Sequence, residues 1–311
     1  MAKVFIDGSA GTTGLQIHAR MKARKDVELL CIPEALRKDP EARKGYMNEA
    51  DVVFLCLPDA AAVEAAAFID NPNTCVIDTS TAHRVDPDWV YGFAELGFAE
   101  KIRASKRIAN PGCHATGFLS TVFPLVSQGA ISKTAQLCCY SLTGYSGGGK
   151  KMIAEYEAEE ASVLLKSPAA YGLSQAHKHL PEMQKISGLC TAPVFCPIVD
   201  DYLKGMETTL MLHRDQLQSG FDLDKVRQLL ADFYAGQKLI SVVSGDEASS
   251  VGRIYANEMS GKDSLKIYVC GNDEAMTVTA VFDNLGKGAS GAAIENMNYV
   301  LGVDETTGLC L

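Results

Sequence analysis

The first third of the chain alternates short apolar runs with helix-forming stretches so regularly that few sheet types accommodate it. Residues 3–7 (KVFID) read as a strand, followed by a glycine turn, a helix over about 12–24 and a second strand over 27–32. Residues 52–57 (VVFLCL) form a third apolar run, the alanine-rich stretch 60–69 a helix, and 74–78 (TCVID) another strand. Strands that are apolar on both faces and separated by helices belong to a parallel sheet covered on both sides, an α/β architecture.

Beyond about residue 112 the pattern changes. Residues 114–126 read as a helix despite Pro124, 136–142 as a strand and 149–166 as a helix. Strand-like runs then recur at 191–199, 206–212, 239–244, 264–270 and 275–282, and Gly271-Asn272-Asp273 between the last two is a hairpin signal. Runs of strands joined partly by hairpins imply an antiparallel or mixed α+β second domain. The stretch 289–301 reads as an amphipathic helix. There is no internal repeat.

Charge and composition narrow the function classes. A net charge of −9 over 311 residues leaves no broad basic face for nucleic acid, although a few local cations still suffice for a small anionic substrate. Apolar stretches are broken well short of the roughly 20 residues a membrane span needs. The chain opens on a strand-like segment rather than a basic-then-apolar leader, so a cytoplasmic location is expected. Ten cysteines without a CxxC pair, several of them in apolar runs (Cys31, Cys56, Cys75, Cys270), read as buried reduced thiols.

Gly8, Ser9, Gly11, Thr12, Thr13 and Gly14 lie between the first strand and the first helix. A dinucleotide's pyrophosphate would rest there on helix N-terminal amides, which bare glycine lets it approach. The spacing is GxxGxxG rather than GxGxxG, so the βαβ setting carries more weight than the motif. Glu34, about 20 residues on, stands where an acid would hold the 2′-hydroxyl of NAD. Arg37 and Lys38 stand where they would neutralise the 2′-phosphate of NADP, and residue chemistry leaves that choice open.

Asn110-Pro111-Gly112-Cys113-His114 is a rigid turn that puts Cys113 at a helix start. A helix N-terminus favours an anion by about 0.3–1 kcal/mol, under one pKa unit, so a thiolate there also needs a base. His177 or His179, ahead of the Pro-Glu helix start at 181–182, can supply it. Histidines one residue apart can also bind a metal with Cys190 or Cys196, but tight cysteine pairing is missing and no metal is expected. His114 should point away from Cys113 if its helix is regular. Ser80 and Arg84 follow the strand TCVID at the carboxyl edge of the sheet, where Arg84 can fork onto a phosphate. The glycine-rich SLTGYSGGGKK, including Ser141 and Gly144, can offer backbone N–H groups to an oxyanion. Asn284 opens the last helical stretch and can return to the cofactor.

Taken together, KVFIDGSAGTTGLQI, VIDTSTAHR, NPGCHATG, SLTGYSGGGK, HKHLPE and DNLGKGASGAAIENMN resemble the N-acetyl-gamma-glutamyl-phosphate reductases in their shorter form, over nearly the whole chain. The resemblance implies a Rossmann-type NADP domain over 1–112, completed by the C-terminal stretch 284–311. It also implies a glyceraldehyde-3-phosphate-dehydrogenase-like catalytic domain over 113–283. By this resemblance NADP(H) is the cofactor, on Arg37 and Lys38, and Cys113 is the nucleophile that forms a thioester with an acyl phosphate. One of His177 and His179 is the acid/base, Asn110 steadies the acyl oxygen and Arg84 holds phosphate. Lys204 stands where the longer form carries an Arg-Gly for the substrate carboxylate. A homo-oligomer, tetramer or dimer, is expected. The competing readings are an aspartate-semialdehyde dehydrogenase, a non-catalytic NADP-binding regulator and a cysteine hydrolase.

Overall fold

The computed structural model describes every residue, Met1–Leu311. The chain divides into two compact units, Met1–Pro111 with Ala289–Leu309, and Gly112–Gly288 with Cys310–Leu311.

The first unit holds six strands: β1 (Ala2–Asp7), β2 (Val27–Leu30), β3 (Val52–Leu55), β4 (Cys75–Asp78), β5 (Val90–Tyr91) and β6 (Arg107–Ala109). They lie in the order β2-β1-β3-β4-β6-β5, and every pairing is parallel. The apolar-throughout strands have a direct cause. Val4, Ile6, Val52, Phe54, Cys75 and Ile77 face one core with Ile17 and Met21 of helix α1 (Thr12–Ala23). The alternate residues Phe5, Val53, Leu55 and Val76 face a second core. There they meet Met47 of α2 (Pro40–Glu49) and Ala65 and Ala66 of α3 (Asp59–Ala67). A short α4 (Ala99–Ala104) adds Ile102 to the first core. Strand order reverses beside β1, so the turn after β1 sits at the topological switch point, where open α/β sheets bind ligands.

The final helix of this unit, Gly291–Leu301, reads as amphipathic in the sequence but is buried on all sides along most of its length. Every residue from Gly291 to Tyr299 is buried, including Glu295, Asn296 and Asn298. Polar side chains tolerate this where they are hydrogen-bonded. Asn296 Nδ2 donates to Gly92 O (2.9 Å) and Asn110 Oδ1 (3.1 Å). Asn298 Nδ2 donates to Glu305 O and Thr307 O, both at 2.9 Å.

The second unit opens with helix α5 (Cys113–Ser127) and builds a mixed seven-stranded sheet. Its strands are β7 (Cys138–Gly144), β8 (Ala169–Ala170), β9 (Val194–Asp200), β10 (Met206–His213), β11 (Ile240–Val242), β12 (Leu265–Gly271) and β13 (Ala275–Phe282). They run in the order β11-β12-β13-β10-β7-β9-β8, with β7–β9 and β11–β12 parallel and the remaining pairs antiparallel. The helices are α6 (Gly149–Tyr156), α7 (Leu180–Ser187), α8 (Leu223–Phe233) and α9 (Gly245–Ser250). Helix α5 lies so close to β10 that a Cβ on Gly117 would fall 2.3 Å from Thr208 Oγ1. Pro124 inside α5 cannot donate to the Ser120 carbonyl one turn back. That buried oxygen instead accepts the Tyr234 hydroxyl at 2.7 Å, so the helix continues through its proline.

Three further sequence expectations are corrected. The helix drawn over 149–166 stops at Tyr156, and only a short 3₁₀ turn, Val163–Lys166, follows. Glu157, Glu159 and Glu160 put negative charge at the helix C-terminus, where it is unfavourable. The second unit extends past residue 283 to Gly288, because Asn284 and its neighbours bond within it. Cys31 lies beyond the end of β2 and is exposed, as are Cys138, Cys190, Cys196 and Cys310, so the cysteines are not uniformly buried. No helix is long and apolar enough to cross a membrane.

Candidate active site

In the first unit the glycine turn follows β1 directly. Gly8 has φ +86°, and a Cβ there would fall 2.3 Å from Cys56 O. A Cβ on Gly14 would fall 2.4 Å from Gly8 O. Both glycines are demanded by the packing of turn, strand and helix. Gly11 is different: it has ordinary dihedrals, is exposed, and a Cβ would meet nothing nearer than Gly8 O at 3.7 Å. It caps α1 without any side-chain hydrogen bond, and Thr12 Oγ1 beside it is a buried oxygen with no hydrogen-bond partner in the fold. An open helix N-terminus, a bare residue the packing does not require and an orphaned hydroxyl suit an anionic cofactor such as a dinucleotide. Ser9 and Thr13, half-buried, flank this cradle.

Further along the sheet, Arg37 Nη1 lies 2.8 and 3.0 Å from the two carboxylate oxygens of Glu34, on the exposed 3₁₀ turn after β2. The rival candidates for the ribose therefore face each other. Lys38 beside them is exposed. The residues after β4 serve the turn itself. Asp78, fully buried, accepts from Ser80 N (2.9 Å) and Ser80 Oγ (2.7 Å) and pairs with His83 Nδ1 (2.6 Å). His83 stacks on Trp89 at 4.0 Å between ring centroids. Arg84 is buried rather than presented at the sheet edge, with Nε on Asn110 O and Nη2 on Thr79 O, both at 3.0 Å. Asn110 Nδ2 donates to Ala289 O (3.1 Å), and its Oδ1 accepts from Asn296 Nδ2 (3.1 Å). Arg84 and Asn110 are thus tied into the fold of this unit through hydrogen bonds to backbone and buried amide groups.

In the second unit Cys113 begins α5. Gly112 caps the helix with extended dihedrals and no side chain, and the first turn carries no acidic residue. Gly112 N donates to the buried Glu182 Oε1 at 2.8 Å. Glu182 lies on α7, which packs against α5, and His179 is the N-cap residue of α7 and is itself buried. His177 is half-buried, and burial together with Lys178 holds its imidazole below the usual range. Its Nδ1 accepts the backbone N–H of His179 at 3.2 Å, which fixes the neutral ring with its proton on Nε2.

Residues that sequence reasoning missed complete this cluster. His114 packs with the histidine pair: its ring lies 5.4 Å from that of His177 and 5.6 Å from that of His179. Its Nε2 is 2.6 Å from Tyr171 OH and its Nδ1 is 2.8 Å from Ser141 Oγ, which in turn lies 2.8 Å from Thr208 Oγ1. Full burial, reinforced by His177 and Lys178, pushes the His114 pKa down to about 3. Burial first, and then the neighbouring Cys113, push the Tyr171 phenol well above its normal range. Gln175 is the one non-glycine residue with positive φ (+56°), a conformation costing about 1 kcal/mol or more. Its amide bonds both Phe195 N (3.0 Å) and Phe195 O (2.8 Å), pinning the 171–179 segment to β9. The proline-glutamate start of α7 was the only sequence signal for Glu182. Nothing local marked Tyr171 or Gln175.

Other expectations move. Ser141 is fully buried in the hydroxyl network rather than open to a ligand. The N–H groups of Gly144, Tyr145 and Ser146 go to the carbonyls of Gly205, Tyr202 and Leu203, so that part of the glycine-rich loop offers no oxyanion donors. Gly144 is bare because the Tyr202 and Leu203 carbonyls would lie within 2.7 Å of a Cβ. Lys204 is half-buried in the bend between β9 and β10. Asn284 is buried in the second unit, where it accepts from Gly205 N (2.9 Å) and donates to Ser146 Oγ (2.9 Å).

Comparison with known proteins bears on this geometry. Residues 3–105 match the family model described as "Semialdehyde dehydrogenase, NAD binding domain", and 113–284 the one described as "Semialdehyde dehydrogenase, dimerisation domain". A Sinorhizobium medicae protein named N-acetyl-gamma-glutamyl-phosphate reductase is 45% identical over 96% of this chain and 98% of its own. A Brucella ovis protein of the same name is 43% identical over 96% and 99%. Among solved structures, aspartate semialdehyde dehydrogenase II from Vibrio cholerae has a TM-score of 0.71, 15% identity and coverage of 97% and 98%. The aspartate semialdehyde dehydrogenase of Candida albicans, solved with NADP, has a TM-score of 0.67 at 14% identity, covering 97% and 99%. At these identities the solved structures bear on the fold alone.

Proposed function

The chain belongs to the N-acetyl-gamma-glutamyl-phosphate reductases of the semialdehyde dehydrogenase family, and on that premise we propose how its residues perform the reaction. It is an oxidoreductase of arginine biosynthesis that uses a nicotinamide cofactor. The reaction is the NADPH-dependent reduction of N-acetyl-gamma-glutamyl phosphate to the semialdehyde, through a thioester on Cys113. The dinucleotide rests on the cradle of Gly8, Ser9, Gly11, Thr12, Thr13 and Gly14, and Arg37 with Lys38 receives a 2′-phosphate. Bound there, the cofactor supplies a hydride.

Cys113 Sγ attacks the acyl-phosphate carbon, a carbon–sulfur bond forms and the phosphate leaves with the carbon–oxygen electron pair. The amide end of α5 favours the sulfur anion. A base takes the thiol proton and later gives it to the oxyanion that hydride addition creates; re-forming the carbonyl then breaks the carbon–sulfur bond, frees the aldehyde and returns the sulfur to Cys113. His179 suits that role better than His177, because the Nδ1 lone pair of His177 is occupied by the His179 N–H and its Nε2 already carries the proton. Lys204 is the cation for the substrate carboxylate. Arg84 and Asn110 act by holding the turn that leads into Cys113, since their hydrogen bonds serve that turn. The chain works as a homo-oligomer.

The reading rests above all on one observation, a cysteine that opens a helix with no side-chain cap, packed against the helix that begins at His179. Cys113→Ser should abolish NADPH oxidation with the acyl phosphate while NADPH still binds, and unchanged turnover would reject the thioester. Run in the phosphate- or arsenate-dependent reverse direction, N-acetylglutamate semialdehyde should far outpace aspartate semialdehyde. Preference for the shorter acid would reassign the substrate.

A further inference from the structure

The reaction accounts for Cys113 and the two histidines of the HKH segment, but not for the residue that follows the nucleophile. His114 is buried, and both its ring nitrogens are engaged, Nδ1 with Ser141 Oγ at 2.8 Å and Nε2 with Tyr171 OH at 2.6 Å. Ser141 Oγ continues to Thr208 Oγ1 at 2.8 Å, and both hydroxyls are buried on neighbouring strands of the sheet beneath α5. A row of hydroxyl, hydroxyl, imidazole and hydroxyl thus runs from the sheet to Tyr171. The other end stands among the site groups: the Tyr171 ring lies 5.9 Å from that of His177, which lies 4.8 Å from that of His179.

A neutral imidazole carries one proton, so the row has a polarity. In one sense Tyr171 donates to Nε2. In the other, Thr208 donates to Ser141, Ser141 to Nδ1, and Nε2–H to the phenol oxygen, which leaves the phenol proton free to donate outward. A sulfur anion or oxyanion beside the phenol favours the second sense.

We propose that His114 is a positioning residue of this reaction: anchored on Ser141 and Thr208, it fills a lone pair of the Tyr171 hydroxyl and so turns that hydroxyl's proton toward the nucleophile. This rests on the assignment of Cys113 as the nucleophile. A buried imidazole with a strongly depressed basicity stays neutral in this role, and a phenol with weakened acidity stays protonated, so both remain in the states the row needs. The titratable groups gathered with His114 are Cys113 on α5, Tyr171, and His177, Lys178, His179 and Glu182 on the segment that enters α7.

The test is the pH dependence of Cys113 alkylation by iodoacetamide in the absence of substrate, followed by mass spectrometry, with kcat and KM measured in parallel. Tyr171→Phe should raise the apparent thiol pKa by about one unit and lower kcat about 10- to 100-fold, as loss of a hydrogen bond to a charged group would, with KM for NADPH unchanged. His114→Asn should reproduce both effects, and the double variant should be no worse than either single one. If His114→Asn fails to fold, Ser141→Ala takes its place in the cycle, since it removes the anchor while sparing the ring. Additive losses, or variants that change only the melting temperature and leave the alkylation profile in place, would overturn the proposal. Its failure is distinct from failure of the nucleophile assignment: turnover retained by Cys113→Ser would sink the latter whatever the profile of Tyr171→Phe.

Discussion

The three glycines of the first turn separate folding from cofactor binding. Alanine at Gly8 must adopt φ +86°, which costs about 1–2 kcal/mol, and must also relieve a 2.3 Å approach to the Cys56 carbonyl. Overpacking of that kind costs about 1–3 kcal/mol more. Alanine at Gly14 has normal dihedrals but meets the Gly8 carbonyl at 2.4 Å, so it bears the packing cost alone. Gly11→Ala meets nothing nearer than 3.7 Å, and its slightly poorer capping is offset by a less flexible unfolded chain, so its net stability change is close to zero. Its methyl group does occupy the open end of α1, where the proposed pyrophosphate site lies. Losing one charge-assisted hydrogen bond there costs about 1.5–3 kcal/mol, or about 10- to 100-fold in Kd. Thermal melts and NADPH titrations of the three variants check this. Gly8→Ala should melt many degrees lower, Gly14→Ala a few, and Gly11→Ala with the wild type while binding NADPH at least tenfold more weakly. A Gly11→Ala protein that binds NADPH normally would refute the placement of the phosphates on this turn.

Arg37→Ala should raise KM for NADPH about 10- to 100-fold with little change for NADH, and Glu34→Gln, which releases Arg37 from its pair, should not weaken NADPH; steady-state kinetics with both cofactors decide. His114 is neutral when folded and has an unfolded pKa near 6.5, so the unfolded state binds more protons between about pH 6 and pH 3. Its contribution is complete above pH 6.5, and stability falls by about 1.4 kcal/mol per pH unit as pH drops through that window. Urea unfolding between pH 7.5 and 5 should show this slope, reduced by one proton in His114→Asn. Tyr234→Phe should cost about 1–3 kcal/mol by stranding the Ser120 carbonyl, and much less in a Pro124→Ala background, where a backbone N–H can take over; equal costs in both backgrounds would break the account.

The architecture of the first unit was legible because its strands carry their own signal. Val4, Phe5 and Ile6 are all apolar since the sheet has a core on each side, and that is visible in a string of letters. The final helix was misread for the opposite reason. Glu295, Asn296 and Asn298 look like a solvent face, and only long-range partners such as Gly92 and Thr307 make their burial tolerable. Cys113 was conspicuous through its Pro-Gly turn, a local feature. Tyr171 and Gln175 belong to a segment without periodicity, so their importance comes entirely from β9 and α5, which no spacing rule reaches. Arg84 illustrates a further limit: an arginine at a sheet edge has the chemistry of a phosphate ligand whether its guanidinium faces outward or, as here, bonds backbone carbonyls.

The reactivity proposed for Cys113 would be a sum of opposing local fields, and their sizes rank its neighbours. The amide end of α5 contributes under one pKa unit toward the thiolate. Glu182, buried and bonded to Gly112 N, draws on that same amide end and adds a carboxylate that disfavours a second anion. Helix and carboxylate together thus leave little net activation. On the proposed mechanism, what remains would come from groups that donate to the sulfur only when it is charged: an imidazole that has taken its proton, and a phenol whose hydrogen points outward. An imidazolium about 4 Å from a sulfur anion would contribute several kcal/mol at the effective dielectric of a partly buried site, more than the helix provides, and His179 is the group proposed to carry that charge. His179→Asn should therefore raise the alkylation pKa of Cys113 further than any change at the helix start, such as Gly112→Ala. The reverse ranking, read from the same iodoacetamide profiles, would make the helix amides rather than the imidazole the source of the thiolate.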